Sequence, residues 1–251
     1  VKRPHFAHLP LILNAKGGRL SKREGSYNIL DYKARGILPQ SLCSYMARLG
    51  WSHGDQEIFT MKELTELFDL AAVQKSPAQY DETKMLWVNR DYIMSQSNPE
   101  LAPVMFPMLR AKLPPEMADK PSNLEALIGL HKERCDDLNT LADEIIFYYE
   151  APEYAKEEAG RVVTADNLPA VKQLRAKLDL VEPTDWNALA IKSIIKELLA
   201  QDAKLKFPDI AMPLRLAITG TTSSASIDKV AELLGKEETL KRLDLLLEEK
   251  L

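Results

Sequence analysis

A short basic segment near the start of the chain carries residue types suited to phosphate binding. The segment consists of Arg19, Leu20, Ser21, Lys22 and Arg23. It follows the apolar run 9–13 and the glycine pair Gly17-Gly18, which indicates a loop after a strand. A lysine in such a loop can hold the phosphates of ATP, because its ammonium group offsets negative charge without proton transfer. The alternative is a solvated basic loop that binds no ligand.

Helical periodicity dominates the sequence that must position this segment. Residues 9–14 give the only clear strand pattern, and a turn is predicted at 15–18. From about residue 38 the apolar spacing is helical. Pro39 suits the first turn of a helix, and Thr60 with Glu63 forms a capping-box pattern. These patterns predict a mainly α fold with one short β segment.

The second half of the chain is predicted to be helical throughout. Six prolines within residues 99–121 favour a domain border there. Ser122 and Glu125 form a second capping box, which is expected to open one long helix over 122–149. Shorter helices are predicted near 165–179, 185–201, 226–234 and 236–250.

Composition narrows the class of protein. The net charge of the 251 residues is −4, yet residues 1–35 carry eight Lys and Arg against two Asp and Glu. A basic face on an acidic body is compatible with RNA binding. No apolar run is long enough to predict a membrane span. Cys43 and Cys135 lack a metal-binding spacing, so no zinc site is expected, and both are predicted to be buried free thiols in the cytoplasm.

Four ordered blocks of the sequence resemble the bacterial-type glutamyl-tRNA synthetases, which are class I aminoacyl-tRNA synthetases. The blocks are PHFAHLPLILNAKGGRLSKREGS, YKARGILPQSLCSYMARLGWSHGD, KSPAQYDETKMLWVNRDYI, and PLRLAITG followed by ELLGKEETLKRL. The first block resembles the family's KMSKS loop, often written K-[LM]-S-K-R. The sequence here is RLSKR, so Arg19 stands where the family usually has lysine. Whether a guanidinium fully replaces that ammonium is left open.

The resemblance implies a division into four parts. Residues 1–30 would end the catalytic domain, as a short β and loop remnant of a class I Rossmann domain that carries the KMSKS-like loop. Residues 31–98 would form a helical stem-contact domain. Residues 99–150 and 151–251 would form two helical subdomains of an all-helical anticodon-binding cage.

The resemblance also implies the chemistry of the basic segment. Lys22 would be the catalytic residue that supports the ATP phosphates, and the whole segment 19–23 would bind ATP. The parent enzyme would use ATP and Mg²⁺, with none expected bound to this fragment. His5 and His8 have the HxxH form of the family's HIGH motif but lack its glycine, so we interpret them as scaffold. Without HIGH, the chain alone is expected to be inactive.

The RNA-binding residues implied by the resemblance lie in two places. Arg215 and the loop 221–227 would contact the last two anticodon bases, and the loop residues singled out are Ser224, Ala225 and Ile227. This loop departs from the family's usual Pro-Gly-Leu-like run, so its base preference is open. Arg134 would lie near the first anticodon base. The alternatives are a buried salt bridge for Arg215, a plain solvated loop, and a solvated charged face for Arg134.

Aromatic and basic residues elsewhere are weaker candidates for RNA contact. Tyr45, Trp51, Trp87 and Tyr92 could stack on bases, but aromatic residues at helical spacing favour a place in the core. Lys33 and Arg35 are candidates for contacts with acceptor-stem phosphates, which add affinity without sequence choice.

The first functional interpretation is therefore the C-terminal portion of a glutamate–tRNA ligase. It predicts a cytoplasmic monomer, without membrane association, that binds the inner side and anticodon of tRNA-Glu, while glutamate and ATP bind the parent enzyme. The basic segment begins at residue 19, so the chain is expected to be the back part of that enzyme. Discrimination against tRNA-Gln, the oligomeric state and the origin of the truncation are left open. The alternatives are a free-standing tRNA-binding module without catalysis, and a helical scaffold whose LSKR is accidental.

Overall fold

The computed structural model describes residues 3–4, 6–20, 28–115 and 123–248. The chain divides into two compact units. The first unit consists of Val1–Lys112 and Lys132–Asp143, and the second of Leu113–His131 and Glu144–Leu251. Ser21, Lys22 and Arg23 of the basic segment, His5, and Ser122 of the second capping box lie outside the described residues.

Helices make up most of the described residues, as the mainly α prediction requires. In chain order they are α1 Ile29–Ala34, α2 Pro39–Arg48, α3 Met61–Leu67, α4 Glu82–Ser95, α5 Asn98–Arg110, α6 Leu124–His131, α7 Leu138–Ile145, α8 Lys156–Val162, α9 Leu168–Asp179, α10 Ala188–Gln201, α11 Phe207–Thr219, α12 Ile227–Leu234 and α13 Lys236–Glu248. Short 3-10 segments lie at Leu70–Ala72, Lys132–Arg134, Ile146–Tyr148 and Pro183–Asp185.

The strand predicted within 9–14 is present as β1, Ile12–Leu13. It pairs in parallel with β2, Ala78–Gln79, so that Ile12 lies opposite Ala78. The backbone N–H of Tyr80 extends this pairing with a 2.8 Å bond to the carbonyl of Leu13. The second strand was not predicted, because two residues carry no periodic signal of their own.

Local signals place the helix starts in the first unit. Pro39 occupies the first turn of α2, as predicted. The capping box before α3 is confirmed: Thr60 N–H donates to Glu63 at 2.7 Å, and Glu63 N–H donates to the Thr60 hydroxyl at 3.2 Å. The proline-rich stretch is helical over α5, with Pro103 and Pro107 on its exposed face. A proline lacks the N–H that would bond the carbonyl four residues earlier, so each of these residues removes one bond of the helix.

The prediction of one long helix over 122–149 is wrong. The chain leaves α6 at His131 and starts α7 at Leu138. Asp137 causes the restart, because its carboxylate accepts bonds from the Thr140 N–H at 2.7 Å and the Thr140 hydroxyl at 3.0 Å. The apolar side chains that recur at helical spacing from Leu124 to Ile145 are nevertheless buried.

The burial of α2 also corrects the prediction of two buried thiols. Cys135 is buried, but Cys43 is exposed. The buried positions of α2 are Ser41, Ser44 and Tyr45, and residue 43 falls outside that stripe. Met46 also falls outside that stripe and is 42% exposed.

The second unit is built around α11. Six of its side chains are essentially inaccessible: Ile210, Ala211, Leu214, Leu216, Ala217 and Ile218. The helix packs against α8, α9, α12 and α13, so it is enclosed on several sides. Its C-terminal end is therefore a rigid point of attachment for the loop that follows.

Candidate nucleic-acid interface

Asn14 shapes the turn that leads into the basic segment. Its side-chain oxygen accepts bonds from the N–H groups of Lys16 at 3.0 Å and Gly18 at 2.8 Å. Its own N–H donates to the Gly18 carbonyl at 2.7 Å. Gly17 has a φ of 80°, which suits glycine and closes the turn.

This turn fixes the first residue of the basic segment. Arg19 forms an isolated antiparallel bridge with Leu13 at the end of β1. The Gln79 side chain donates to the carbonyl of Ala15, which ties the turn to β2. Arg19 is exposed and Leu20 is half-buried. The roles assigned to the segment 19–23 in ATP binding stay predictions.

A second polar loop joins α11 to α12. Gly220 ends α11 with a φ of 72°, and a Cβ there would lie 2.6 Å from the Cβ of Pro152. The hydroxyl of Thr219 donates to the carbonyl of Arg215 at 2.9 Å and accepts from the Thr221 N–H at 3.3 Å. The hydroxyl of Thr221 donates to the Ser223 carbonyl at 2.7 Å. Several internal bonds therefore preform the loop.

Arg215 reaches from α11 onto this loop. Its Nε donates to the Ser224 hydroxyl at 2.9 Å, and one terminal nitrogen contacts the Thr222 carbonyl at 3.5 Å and the Met212 sulfur at 3.4 Å. The structure thus brings together two of the predicted RNA-binding residues. These contacts place the guanidinium against neutral acceptors of the loop and of its own helix.

The far end of the loop is anchored by apolar side chains. Ala225 is 8% exposed and Ile227 is 2% exposed, so both belong to the core of the second unit. Any contact that they make with RNA would run through the backbone. The exposed residues of the loop are Thr221, Ser223 and Ser226, and Ser226 donates to Asp228 in the first turn of α12. The loop therefore presents hydroxyl groups to solvent.

Arg134 is exposed in the 3-10 segment Lys132–Arg134 of the first unit. The two residues before Arg134 are bonded to α4 and to the residue that follows α4. Lys132 Nζ donates to the Gln96 carbonyl at 2.8 Å, and Arg90 of α4 donates to the Glu133 carbonyl at 2.6 Å. The buried Asn89 adds a 2.7 Å bond to the Asp136 carbonyl. This backbone is well fixed, while the role of Arg134 in RNA binding stays a prediction.

The other aromatic and basic candidates have mixed surroundings. Tyr45, Trp51 and Tyr92 are buried, as the core interpretation predicted, but Trp87 is 49% exposed with Lys84 over its ring. The core prediction is therefore wrong for Trp87, which lies on the outer side of α4. Arg35 forms an ion pair with Glu82, and Lys33 is exposed. Their contacts with phosphate stay predictions.

Neither a metal-binding cluster nor a membrane-spanning helix is present within the described ranges. No group of three or more His, Cys, Asp or Glu residues there could hold a metal ion. Among the described residues, no helix is both long enough and apolar enough to cross a membrane.

Two protein families match the chain, one after the other. The family "tRNA synthetases class I (E and Q), catalytic domain" matches residues 1–87, and the family "Anticodon binding domain" matches residues 99–247. The second match covers more than half of the chain, and the chain therefore belongs to the anticodon-binding-domain family.

The relatives that match along nearly the whole chain are glutamate–tRNA ligases. The ligase of Herminiimonas arsenicoxydans is 44% identical over 240 residues, which cover 96% of this chain and 50% of the relative. That of Neisseria meningitidis serogroup A is 42% identical over 241 residues. A crystal structure of a glutamate tRNA ligase from Elizabethkingia meningosepticum, in complex with its amino acid, has a TM-score of 0.82 at 28% identity, covering 98% of this chain and 52% of that one.

The chain spans about half the length of the curated relatives it matches. The resemblance to glutamyl-tRNA synthetases and the mainly α fold are thereby confirmed. Sequence reasoning missed Asn14 and Gly220, which shape the two loops. Their signals were an asparagine before a glycine pair, and a glycine directly after an apolar helical run.

Proposed function

We propose that this chain is the tRNA-binding part of a glutamate–tRNA ligase and that it binds the inner side and anticodon of tRNA-Glu. The observation that carries the proposal is the ordered similarity to glutamate–tRNA ligases over 96% of the chain, through a catalytic-domain match and an anticodon-binding match. This order favours the synthetase interpretation over a scaffold with an accidental LSKR.

In the second unit, anticodon recognition would use the loop between α11 and α12. Unstacked bases of a single strand are read on their edges by guanidinium, hydroxyl and backbone groups. Arg215 supplies the guanidinium, and Thr221, Ser223 and Ser226 supply exposed hydroxyls. Because the loop is braced by Arg215 and by internal bonds, little ordering entropy is lost when RNA binds.

In the first unit, the basic segment would serve glutamate activation by the whole protein. A carboxylate oxygen of glutamate attacks the α-phosphorus of ATP, an O–P bond forms, and the bond to pyrophosphate breaks. Lys22 would offset the charge that gathers on the phosphates. Mg²⁺ in the whole protein would offset further phosphate charge, and the described residues give it no ligand set. The turn at Asn14 would set where this segment starts.

We further propose that the protein works as a monomer in the cytoplasm; its discrimination between tRNA-Glu and tRNA-Gln is left open. A titration of this chain with both transcripts, each paired with an anticodon-swapped control at one ionic strength, tests the proposal. Tighter binding that follows the anticodon supports it. Equal weak binding to all four RNAs contradicts anticodon recognition and leaves a nonspecific phosphate contact.

A further inference from the structure

Arg242 in α13 is a buried charge with one bond inside its own helix and bonds to two other elements. Its side chain is 3% exposed. Nε donates to Glu238 at 2.7 Å, and one terminal nitrogen donates to the carbonyls of Phe147 and Ile218, each at 2.7 Å. A buried guanidinium is costly unless its hydrogen bonds are satisfied. The arrangement therefore joins α13 to two points of backbone in the second unit.

One of these points is the base of the polar loop. Ile218 lies in the last turn of α11, where carbonyl groups have no partner within the helix. Arg242 supplies that partner and places a positive charge at the negative end of the helix dipole. Gly220 follows two residues later and turns the chain into the loop. The guanidinium thus fixes the point from which the loop departs.

The second backbone partner of Arg242, the Phe147 carbonyl, precedes a segment that packs against Gly220. Phe147 belongs to the 3-10 segment Ile146–Tyr148, a few residues before Pro152 and Glu153. These two residues pack so closely on Gly220 that a Cβ there would lie 2.6 Å from the Cβ of Pro152 and 3.3 Å from the Glu153 carbonyl. One side chain therefore holds both the end of α11 and the segment packed against it.

We propose that Arg242 is a positioning residue for anticodon recognition: it fixes the base of the 221–226 loop, while Arg215 holds the tip. Arg242 is too buried to touch RNA itself. The inference rests on the proposed function of the loop. Lysine cannot replace this arginine, because a single ammonium lacks the planar fork that reaches a carboxylate and two carbonyls at once.

The test compares R242K with R175K in the tRNA titration. Arg175 also makes a bidentate ion pair, with Asp244 at 2.7 and 2.9 Å, and it bonds Asp179 at 2.6 Å. Its bonds run to α9 and α13 and leave the loop untouched. We expect R242K to narrow the affinity ratio between tRNA-Glu and its anticodon-swapped control by about tenfold, mainly by weakening tRNA-Glu. R175K is expected to leave that ratio within about twofold.

A folded R242K protein with an unchanged ratio would overturn the inference and leave the proposed function standing. If the unmutated chain itself shows no anticodon dependence, the proposed function fails, and the inference falls with it. Should R242K fail to fold, the double variant R242M/E238L replaces the buried pair with apolar side chains, a change that proteins often tolerate. It leaves the Ile218 and Phe147 carbonyls without their donor. A narrowed affinity ratio between tRNA-Glu and its anticodon-swapped control supports the inference, and an unchanged ratio overturns it.

Discussion

The Nε atom of Arg215 donates a hydrogen bond to the hydroxyl oxygen of Ser224 at 2.9 Å. The two residues lie nine positions apart, one in α11 and one in the loop that follows. The bond holds the loop tip against a helix that the core encloses. The side chain proposed to read a base is therefore already oriented before RNA arrives.

The first prediction concerns this pair. R215K keeps the positive charge but loses the planar fork, so it should weaken binding of tRNA-Glu by about 1–3 kcal/mol, which is the usual worth of a bidentate base contact. S224A removes the acceptor of this bond and also the 2.9 Å bond from the Ser224 hydroxyl to the Ala225 carbonyl, so it should cost about 0.5–1.5 kcal/mol for each bond lost. Titration with tRNA-Glu and its anticodon-swapped form measures both.

The matched control for this experiment is R161K, which changes an exposed arginine of α8 in the same unit. It should alter the binding of the two RNAs equally and slightly. An R215K protein that loses affinity for both RNAs to the same extent would show that Arg215 is a nonspecific phosphate contact.

The second prediction compares two glycines with positive φ in the second unit. G220A should lower the free energy of unfolding through left-handed strain and through overlap with Pro152. G235A has nothing within 4 Å, so only backbone strain applies, and at a φ of 92° and a ψ of 159° that strain is about 1–3 kcal/mol. At Gly220 the overlap with Pro152 adds about 1–3 kcal/mol to the left-handed strain, so G220A should be the worse variant.

Urea denaturation followed by circular dichroism measures this difference between the glycine variants. Equal losses for the two would mean that the segment carrying Pro152 moves aside at little cost. The close packing of that segment on the loop base would then be unimportant for stability.

The third prediction is a pH dependence at Glu238. Burial raises the pKa of this carboxyl, but hydrogen bonds and charges from Arg242 and Lys241 outweigh burial and hold the pKa below its ordinary 4.5. A lowered folded pKa means that the pair contributes stability above about pH 4.5, and that this contribution is lost as pH falls through the folded pKa. E238Q should therefore be less stable than the unmutated chain at pH 7, and the gap should shrink towards pH 3.

Unfolding free energies at several pH values test this expectation. E237Q is the control, since Glu237 is exposed beside Glu238. A gap between E238Q and the unmutated chain that stays constant from pH 7 to pH 3 would contradict an ionised Glu238 as the source of the stability.

The fourth prediction concerns the basic segment in the whole protein. K22A should slow glutamate-dependent exchange of pyrophosphate into ATP by about 10²–10³-fold, because one donor to the developing charge is lost. Its affinity for tRNA-Glu should not change. R19K, which restores the family's usual lysine, should retain the exchange rate within about threefold. Unchanged exchange in K22A would remove Lys22 from the catalytic machinery.

Sequence reasoning succeeded where the signal was local. Pro39 and the pair Thr60–Glu63 mark helix starts by their own chemistry, and both were found where predicted. The break before α7 was missed because Cys135 and Leu138 continue the apolar helical spacing across it, while Asp137 restarts the helix. β2 was missed because it is defined by its pairing with β1, which lies more than sixty residues earlier.

The loop between α11 and α12 also has some features that the sequence predicts and others that only the assembled structure shows. Arg215 and Ser224 were singled out through the family resemblance, yet no sequence pattern shows that they bond to each other. Arg242 was not singled out at all, because its partners outside α13 are backbone carbonyls at residues 147 and 218, and a carbonyl is present at every position of the chain. Its importance is visible only when the three elements are assembled.

The loop between α11 and α12 is proposed to read the anticodon of tRNA-Glu. The most direct measurement places a photo-crosslinking amino acid at Ser223, which is exposed in that loop, and maps the crosslinked nucleotides of bound tRNA-Glu. We predict crosslinks in the anticodon that disappear when an excess of unlabelled tRNA-Glu is added. Crosslinks confined to the acceptor stem or the elbow of the tRNA would contradict it.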